Sequence, residues 1–567
     1  MKPFDSFDWT AGYPSRRSPL FARNIVSTSH PLAAQAGLRV MQSGGNAVDA
    51  AIATAACMTL VEPCSNGLGS DAFCILWDGR QLHGLNASGP APAAWTPAFF
   101  AGQGAMPRRG WGAVTVPGAV GGWAALSERF GRLPFADLMQ PAIEIAERGY
   151  AVPPIVQGKW ALAAGLDELT AQPGFAQAFL PKGRAPEVGE LFRFADAARS
   201  LRLIAESRGE AFYRGEIAAA LARFARETGG ALSEADLAAY RPEWVTPLAQ
   251  PVAGHTLHEI PPNGQGIAAQ MALGLLEHWD LGALDADGPE AQHLMIEAMK
   301  LAFADVYRHV AEPGAMAVGT AQLLDPGYLA QRAKLIDPAR AQVFGAGNPV
   351  KGGTIYLTAA DEAGMMVSFI QSNYMGFGSG LVLPGYGVSL QNRGHCFTLE
   401  AGHPNRVAPN KRPFHTIIPG FLTAPTSPAA PAPRGGSAPP WGGPAEAPTT
   451  RTSAVVPVMS FGVMGGNMQP QGHVQTLVRL LRHGQNPQAA CDAPRWRFNE
   501  GLSINVEPHM PAATVAALAA LGHQIGDIHD SYQDFGAGQF IWRLGAPGVE
   551  GYVAASDPRR DGAAVGW

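Results

Sequence analysis

Charged residues are scarce in this sequence of 567 residues. Asp, Glu, Lys and Arg make up 15% of it, against roughly 25% in an average soluble domain. Hydrophobic residues make up 47%, so the chain can bury a large core. Lys and Arg number 41 and Asp and Glu 46, which gives a net charge of −5 and no basic excess. We therefore expect no nucleic acid among the partners of this protein.

Cysteine is also scarce, and its number is odd. The five cysteines are Cys57, Cys64, Cys74, Cys396 and Cys491. None of them forms a Cys-x-x-Cys pair, which favours a reducing compartment over a disulfide framework. The first residues lack a basic stretch followed by an apolar core, so no signal peptide is expected. The longest apolar stretch, around residues 50–61, is too short to cross a bilayer, and we expect a cytoplasmic protein with no membrane partner.

Familiar metal and phosphate motifs are missing as well. The sequence has no His-Glu-x-x-His and no P-loop. His255 and His258 would face opposite sides of a predicted strand, which suits surface or core positions better than metal ligation. The run Gly67–Ser70 resembles part of a dinucleotide loop, but it follows a helix and precedes a strand, the reverse of a Rossmann unit. These patterns give no support to a metal or dinucleotide site.

The first part of the chain predicts helices followed by a hairpin. Apolar spacing and a Gly-Gly stop predict a helix over residues 30–44, and an alanine-rich helix over 47–59 comes next. An apolar strand at 73–77 is followed by Asp78-Gly79, a hairpin signal that returns the chain over 81–85.

The second part of the chain predicts short paired strands. They fall at residues 355–360, 365–370, 381–383 and 417–422, and the pattern resumes at 455–462. Strands in each half lack enough partners of their own. We therefore predict one intertwined α/β unit and not two independent domains.

A segment rich in proline, glycine and alanine interrupts these strands at residues 425–450. Its composition cannot form a packed core. We predict a flexible insertion between two strands.

The most informative residue is Thr354, in the run Lys351-Gly352-Gly353-Thr354-Ile355-Tyr356-Leu357. A threonine that leads a strand after a flexible glycine can attack the preceding carbonyl and cleave its own peptide bond. The product would carry a free amine and a hydroxyl on one residue, which together make a base and a nucleophile. The same three residues, Gly-Gly-Thr, also fit ordinary turn chemistry.

Six segments, spread over nearly the whole chain, form one further pattern. They are Gly44–Ala50 with Val61-Glu62-Pro63, Val116-Pro117-Gly118 with Phe130–Pro134, Pro261–Gly266, Thr354 with Phe377–Gly380, Asn410–Pro413, and Ala555–Arg559. Taken together and in this order, they resemble the γ-glutamyltransferase (γ-glutamyl transpeptidase) family of N-terminal-nucleophile hydrolases.

This resemblance implies a fold and a maturation step. The family fold is a four-layer αββα sandwich of the α/β (α+β) class, with two stacked sheets to which both chains contribute. Cleavage between Gly353 and Thr354 would give a large chain of residues 1–353 and a small catalytic chain of 354–567. The family uses no metal and no organic cofactor.

The resemblance also assigns catalytic roles. Gly465 and Gly466 match the family's glycine pair, whose N–H groups would form the oxyanion hole. The pair also fits a tight turn between a strand and a helix. Ser372 falls where the family has a second threonine that supports the nucleophile. Asn373 or Tyr374, with one residue of ambiguity, corresponds to a substrate-contacting asparagine.

The sequence departs from the family in the substrate pocket. The family arginine that binds the γ-glutamyl carboxylate falls on Asn86, and the aspartate that binds its amino group falls on Cys396. The family's paired serines become His415 and Thr416. Asparagine supplies neither the charge nor the fork of an arginine. Arg393 could hold a carboxylate from another direction or be an ordinary loop arginine.

We therefore expect a self-processing γ-glutamyltransferase-like enzyme with a threonine nucleophile. Like a glutathione hydrolase, it would hydrolyse or transfer an acyl group of the γ-glutamyl type from a small amide, through an acyl-enzyme, with water or an amine as the acceptor. The alternatives are an acylase for a non-glutamyl amide, of the oxamate or cephalosporin type, and an uncleaved, inactive scaffold.

Overall fold

The computed structural model describes residues 17–344, 353–426, 455–527 and 535–567, and Gly353 runs directly into Thr354 within one strand. The strands are β1 (Leu20–Ala22), β2 (Ile25–Thr28), β3 (Asp71–Trp77), β4 (Leu82–Ala87), β5 (Tyr150–Ala151), β6 (Leu191–Phe192), β7 (Glu243–Val245), β8 (Leu248–Val252), β9 (His255–Glu259), β10 (Gly353–Ala360), β11 (Met366–Tyr374), β12 (Val382–Leu383), β13 (Val388–Ser389), β14 (Gly420–Pro425), β15 (Val455–Met464), β16 (Trp496–Glu500), β17 (Ser503–Val506), β18 (Gln524–Ile525), β19 (Ala537–Arg543), β20 (Tyr552–Ser556) and β21 (Ala563–Gly566). The helices are α1 (Pro31–Gln42), α2 (Ala47–Val61), α3 (Ala119–Phe130), α4 (Phe135–Arg148), α5 (Pro154–Ala164), α6 (Asp167–Thr170), α7 (Phe175–Phe179), α8 (Ala195–Ser207), α9 (Glu210–Arg214), α10 (Glu216–Glu227), α11 (Glu234–Ala239), α12 (Ile267–Leu276), α13 (Pro289–His309), α14 (Thr320–Leu323), α15 (Pro326–Ala333), α16 (Met468–Leu481), α17 (Pro487–Asp492) and α18 (Ala512–Ala520).

Two seven-stranded sheets form the centre of the molecule. Sheet A has the order β1-β20-β19-β15-β14-β9-β8, and sheet B has the order β21-β2-β10-β11-β3-β4-β7. Each sheet combines strands that precede Thr354 with strands that follow it. The chain segments on either side of Thr354 are therefore interleaved, as the shortage of strand partners within each half predicts.

The two sheets pack face to face. Tyr356 and Ile370 of sheet B meet Phe421 and Ile541 of sheet A in one buried cluster. At Gly462 in β15 a Cβ atom would lie 2.5 Å from the ring of Tyr356, so glycine is what allows this close approach.

Helices cover the outer face of each sheet. Helices α1, α2 and α3 pack directly on sheet B, and α12, α16 and α17 pack on sheet A, while α4 lies against α2 and α13 against α12. Every residue of α2 is buried, which its alanine-rich sequence permits because small side chains let neighbouring elements approach closely. The predicted four-layer αββα arrangement is confirmed.

Predictions of secondary structure from short sequence patterns agree with the structure where only neighbouring residues decide the conformation. The hairpin around Asp78-Gly79 forms between β3 and β4, with Trp77 opposite Leu82. The strand predicted from residue 417 begins only at Gly420. Side chains explain the difference, because the N–H of Ile418 donates to Gln469 Oε1 at 2.8 Å and is not available to a neighbouring strand.

The predicted insertion at residues 425–450 lies outside the described residues except for Pro425 and Thr426. Pro425, the last residue of β14, is paired with Val455 at the start of β15. The two ends of the segment are therefore adjacent, and a short connection can join them.

We accordingly expect residues 427–450 to be dispensable. Replacing them with a short Gly-Ser linker should leave the midpoint of thermal unfolding and the rate of chain cleavage nearly unchanged. The control is a variant in which the order of these 24 residues is shuffled, so that the segment keeps its native length and composition. If the linker variant were insoluble while the shuffled variant stayed soluble, the prediction would be contradicted.

Candidate active site

Thr354 is buried near the start of β10, in the middle of sheet B, with 1% of its surface exposed. Its Oγ1–H donates to Ser372 Oγ at 3.2 Å, and Gln469 Nε2–H donates to Thr354 Oγ1 at 3.3 Å. These contacts fix the hydroxyl between a second hydroxyl and an amide. The N-terminal part of β10 thus holds the one group that the sequence singles out as a nucleophile.

A β-bulge places Ser372 beside Thr354. Gly353 is paired with Tyr374 and Ile355 with Gln371, so two residues of β11 lie opposite the single residue Thr354. Bulges of this kind redirect side chains and are common next to active sites. Ser372 Oγ also accepts a hydrogen bond from the N–H of Tyr374 at 2.7 Å, and Tyr374 has a φ of 76°, which is unusual for a bulky residue.

The glycine pair lies where β15 turns into α16. Gly465 has a φ of 121° and Gly466 a φ of 61°, values that favour glycine. A Cβ on Gly465 would lie 3.0 Å from the Cα of Gly536. Gln469, which contacts Thr354, belongs to the first turn of α16. The N-terminus of a 14-residue helix, which favours negative charge, therefore lies next to the candidate nucleophile.

A cavity of about 680 Å³ lies beside this site, although neither Thr354 nor the glycine pair is among its lining residues. Among the predicted site residues, Tyr374, Cys396 and Thr416 line it. Asn467, which directly follows the glycine pair, also lines the cavity and hydrogen-bonds the hydroxyl of Tyr307. The cavity has room for a small amide within reach of the helix N-terminus.

Two other predicted pocket residues, Asn86 and Asn373, hydrogen-bond to neighbouring side chains and do not line this cavity. Asn86 Nδ2–H donates to Asn263 Oδ1 at 2.9 Å, and Asn86 Oδ1 accepts from the hydroxyl of Ser88 at 2.7 Å. Asn373 Oδ1 accepts from Ser70 Oγ at 2.8 Å. Of the two residues left open by the sequence, Tyr374 is the one that lines the cavity.

His415 forms part of a buried pair with Asp71. His415 Nε2 lies 3.1 Å from Asp71 Oδ2, and neither side chain is exposed. Burial raises the pKa of Asp71 to about 7 and lowers the pKa of His415. Asp71 pairs with Ser372 across sheet B, so this buried pair supports the strand that carries the bulge.

Sequence reasoning missed Gln469 and Asp71. Gln469 follows the glycine pair by three residues, and the first turn of the helix after that pair could have indicated it. Asp71 is separated from His415 by 344 positions, and no spacing rule connects the two.

One cluster in the described residues has the donor types of a metal site. Donor atoms of His293, Glu297 and His523 lie within 4.8 Å of one another. Lys300 Nζ–H, however, donates to Glu297 Oε1 at 2.7 Å, and Lys300 Nζ lies 3.5 Å from His523 Nδ1. An ammonium therefore already supplies the positive charge there, and we assign no metal to the cluster.

The fold and the site together define a class of protein. Two stacked sheets between helices, with a threonine leading a central strand beside a glycine-flanked helix N-terminus, define an N-terminal-nucleophile amidohydrolase. None of the described helices is both long and apolar enough to span a membrane.

Comparison with known proteins identifies the family. A family model described as Gamma-glutamyltranspeptidase matches residues 33–437 and 446–567. The oxamate amidohydrolase proenzyme of Klebsiella pneumoniae is 35% identical over 97% of this chain and 99% of that protein. The glutathione hydrolase-like YwrD proenzyme of Bacillus subtilis is 32% identical with the same coverage. The crystal structure of cephalosporin acylase from Bacillus halodurans is 44% identical, covers 99% of both chains and has a TM-score of 0.88. The chain belongs to the gamma-glutamyltranspeptidase family.

Proposed function

We propose that this protein cleaves itself between Gly353 and Thr354 and then uses Thr354 as its catalytic nucleophile. In the cleavage, Thr354 Oγ attacks the carbonyl carbon of Gly353. The peptide C–N bond breaks, the nitrogen takes up a proton and an ester links the two residues. Water then hydrolyses the ester, which leaves a carboxylate on Gly353 and a free amine and hydroxyl on Thr354.

The free amine is the base of the second reaction. An α-amine titrates near ~7.7–8.0, so a useful fraction is unprotonated at neutral pH. It accepts the Oγ proton as the hydroxyl attacks the amide carbon of a substrate. The N–H groups of Gly465 and Gly466 stabilise the developing oxyanion, the amine product leaves with a proton, and water or an amine acceptor resolves the acyl-enzyme.

The observation that carries this proposal is the position of Thr354 Oγ1. It lies between Ser372 Oγ and Gln469 Nε2, and Gln469 belongs to the helix that begins at the glycine pair. Thr354 and the helix that follows the glycine pair therefore meet although they lie more than 100 residues apart in the sequence. This arrangement favours an active enzyme over an inactive scaffold.

We propose a non-glutamyl amide as the substrate. The family's charged clamp is replaced by Asn86, whose amide is bonded to Asn263, and by the thiol of Cys396. Two similar proteins are described as an oxamate amidohydrolase and a cephalosporin acylase, which is consistent with a different acyl group. γ-Glutamyl transfer is the second candidate, since a glutathione hydrolase-like protein is also similar.

A mass-spectrometric screen of small amides tests this proposal. The purified, cleaved protein should release the acid and the amine from at least one donor, and the Thr354→Ala variant should release neither. Cleaved protein that hydrolyses no amide, or equal turnover by both proteins, would contradict it.

We also predict a supporting role for Ser372. Ser372→Ala removes the acceptor of Thr354 Oγ1–H and of the Tyr374 N–H, at a cost of about 1–3 kcal/mol. At roughly 1.36 kcal/mol per tenfold, cleavage and kcat should fall by about 5- to 150-fold. Ser372→Thr keeps the hydroxyl and is the matched control. Gel analysis of cleavage over time measures the first rate, and an unchanged rate in the alanine variant would contradict the role.

The compartment and the partners complete the proposal. The five cysteines all lie in the described part of the chain, no disulfide joins any two of them and four are buried, which supports a cytoplasmic location. The partners we propose are a small amide, an acceptor that is water or an amine, and the two chains produced from the precursor.

A further inference from the structure

Gln469 is a buried glutamine in direct contact with the oxygen of the candidate nucleophile. It lies in the first turn of α16, and its side chain has no exposed surface. Its Nε2–H donates to Thr354 Oγ1 at 3.3 Å, and its Oε1 accepts from the N–H of Ile418 at 2.8 Å. Because the backbone N–H of Ile418 can only donate, it requires the oxygen of the side-chain amide. The amide nitrogen of Gln469 therefore faces Thr354.

The backbone around Gln469 holds this amide in place. The N–H of Gln469 donates to the carbonyl oxygen of Gly466 at 3.1 Å. The same carbonyl oxygen accepts from Nε2–H of Gln265 at 3.0 Å, and Gln265 is also buried. The donor that faces Thr354 Oγ1 is therefore fixed before the reaction begins, and it needs no rearrangement when charge develops on that oxygen.

Thr354 Oγ1 attacks in one half of each reaction and departs in the other half. When it attacks, it starts as a hydroxyl oxygen, which already accepts hydrogen bonds well. When an ester is hydrolysed, it starts as a weakly accepting ester oxygen and ends with the electron pair of the broken C–O bond. The hydrogen bond from Gln469 therefore strengthens mainly as Oγ1 departs. Only an interaction that is stronger in the transition state accelerates a step.

We propose that Gln469 is a catalytic residue of ester hydrolysis, in which it stabilises Thr354 Oγ1 as the departing alkoxide. The two esters are the link between Gly353 and Thr354 Oγ1 during chain cleavage and the acyl-enzyme during turnover. In each, the amine of Thr354 takes a proton from the attacking water, the C–O bond to Oγ1 breaks, and the proton passes to Oγ1. Gln469 itself neither gains nor loses a proton. This inference rests on the proposed amidohydrolase function and deepens it.

Pre-steady-state kinetics with p-nitrophenyl acetate separate attack from departure. Acylation releases p-nitrophenolate in a burst, and hydrolysis of the acetyl-enzyme sets the later steady rate; turnover by Thr354→Ala gives the background. Gln469→Met keeps the length of the side chain but lacks the N–H donor. In the cleaved Gln469→Met protein the burst rate should stay within about threefold of the native value. The steady rate should fall about 10- to 100-fold, as for the loss of a hydrogen bond to a charged group.

Gln475→Met is the matched control. Gln475 is a buried glutamine of the same helix, and its Nε2–H donates to the carbonyl oxygens of Gln471 and Trp496. This variant loses a comparable set of buried hydrogen bonds away from Thr354. It should keep both the burst rate and the steady rate close to the native values.

Gln469→Glu distinguishes this role from a purely structural one. Its carboxyl can still accept from the N–H of Ile418, but once ionised it has no hydrogen to donate to Thr354 Oγ1. The steady rate of the variant relative to the native rate should therefore fall as the pH rises and the carboxyl ionises. If Gln469 served only to hold Ile418, this ratio would stay near one at every pH, and the inference would be overturned.

Chain cleavage gives a measurement that needs no substrate. In Gln469→Met it should be about 10- to 100-fold slower than in the native protein and in Gln475→Met, and prolonged incubation should complete it. If the native protein stays uncleaved or releases no p-nitrophenolate, the proposed function fails and this inference fails with it. If the native protein is cleaved and acylated, but Gln469→Met keeps the native steady rate or loses the burst and the steady rate by the same factor, the inference is overturned and the function stands.

Discussion

The Thr354→Ala variant should remain one chain of 567 residues and show no amidase activity. Alanine has no hydroxyl to attack the carbonyl of Gly353, so the peptide bond stays intact and no free amine forms. Losing the nucleophile of a hydrolase costs on the order of 10⁶ in kcat. A denaturing gel measures the first effect, and release of product from the best amide in the screen measures the second.

Two further variants control this experiment. Thr354→Ser keeps the hydroxyl and should still cleave. Because serine lacks the methyl group that restricts the χ1 rotamer of threonine, its hydroxyl is held less firmly and cleavage should be slower. Thr358→Ala removes a buried hydroxyl from the same strand, where it contacts Ser460, and should leave cleavage in place. Cleavage at the native position in Thr354→Ala would contradict the assignment of the nucleophile.

γ-Glutamyl-p-nitroanilide should be a poor substrate, with kcat/KM below about 10⁴ M⁻¹s⁻¹. The family resemblance implies a clamp that places a cation against the carboxylate and an anion against the ammonium, and we infer that Asn86 and Cys396 stand at those positions here. Each lost hydrogen bond to a charged group costs roughly 1.5–3 kcal/mol. Two losses correspond to about two to four powers of ten in transition-state binding. Steady-state kinetics on this anilide and on the best amide in the screen gives the comparison.

The double variant Asn86→Arg with Cys396→Asp extends this test. It restores both charges and should raise kcat/KM for the γ-glutamyl anilide. The gain is opposed by the loss of the Asn86 contacts with Asn263 and Ser88. The single variants Asn86→Arg and Cys396→Asp are the controls, since one charged side chain can bind only one of the two charged groups of the γ-glutamyl substrate. Native efficiency above about 10⁴ M⁻¹s⁻¹ would mean that another residue replaces the clamp.

The sequence predicts individual helices and strands because the evidence for them is local, whereas the four-layer arrangement follows from the family resemblance. Apolar runs, Gly-Gly stops and the Asp78-Gly79 turn depend on neighbours within a few positions, and the corresponding elements form where predicted. The strand at Gly420 begins late because a distant glutamine, Gln469, binds the N–H of Ile418. Contacts of this kind depend on the tertiary fold and leave no periodic pattern.

The same distinction separates the predicted and unpredicted parts of the site. Thr354 and the Gly465-Gly466 pair carry short motifs that can be read from the chain. The bulge opposite Thr354 depends on the pairing register of β10 with β11, which a motif does not specify. The hydrogen bond from Arg393 to Thr416 and its contact with the ring of Tyr374 likewise depend on the tertiary fold.

N-terminal sequencing of the purified protein tests the central claim most directly. The account predicts two chains, residues 1–353 and 354–567, and the smaller should begin Thr-Ile-Tyr-Leu. A smaller chain that begins at any other residue, or native protein that stays uncleaved after prolonged incubation while it hydrolyses amides, would contradict the account.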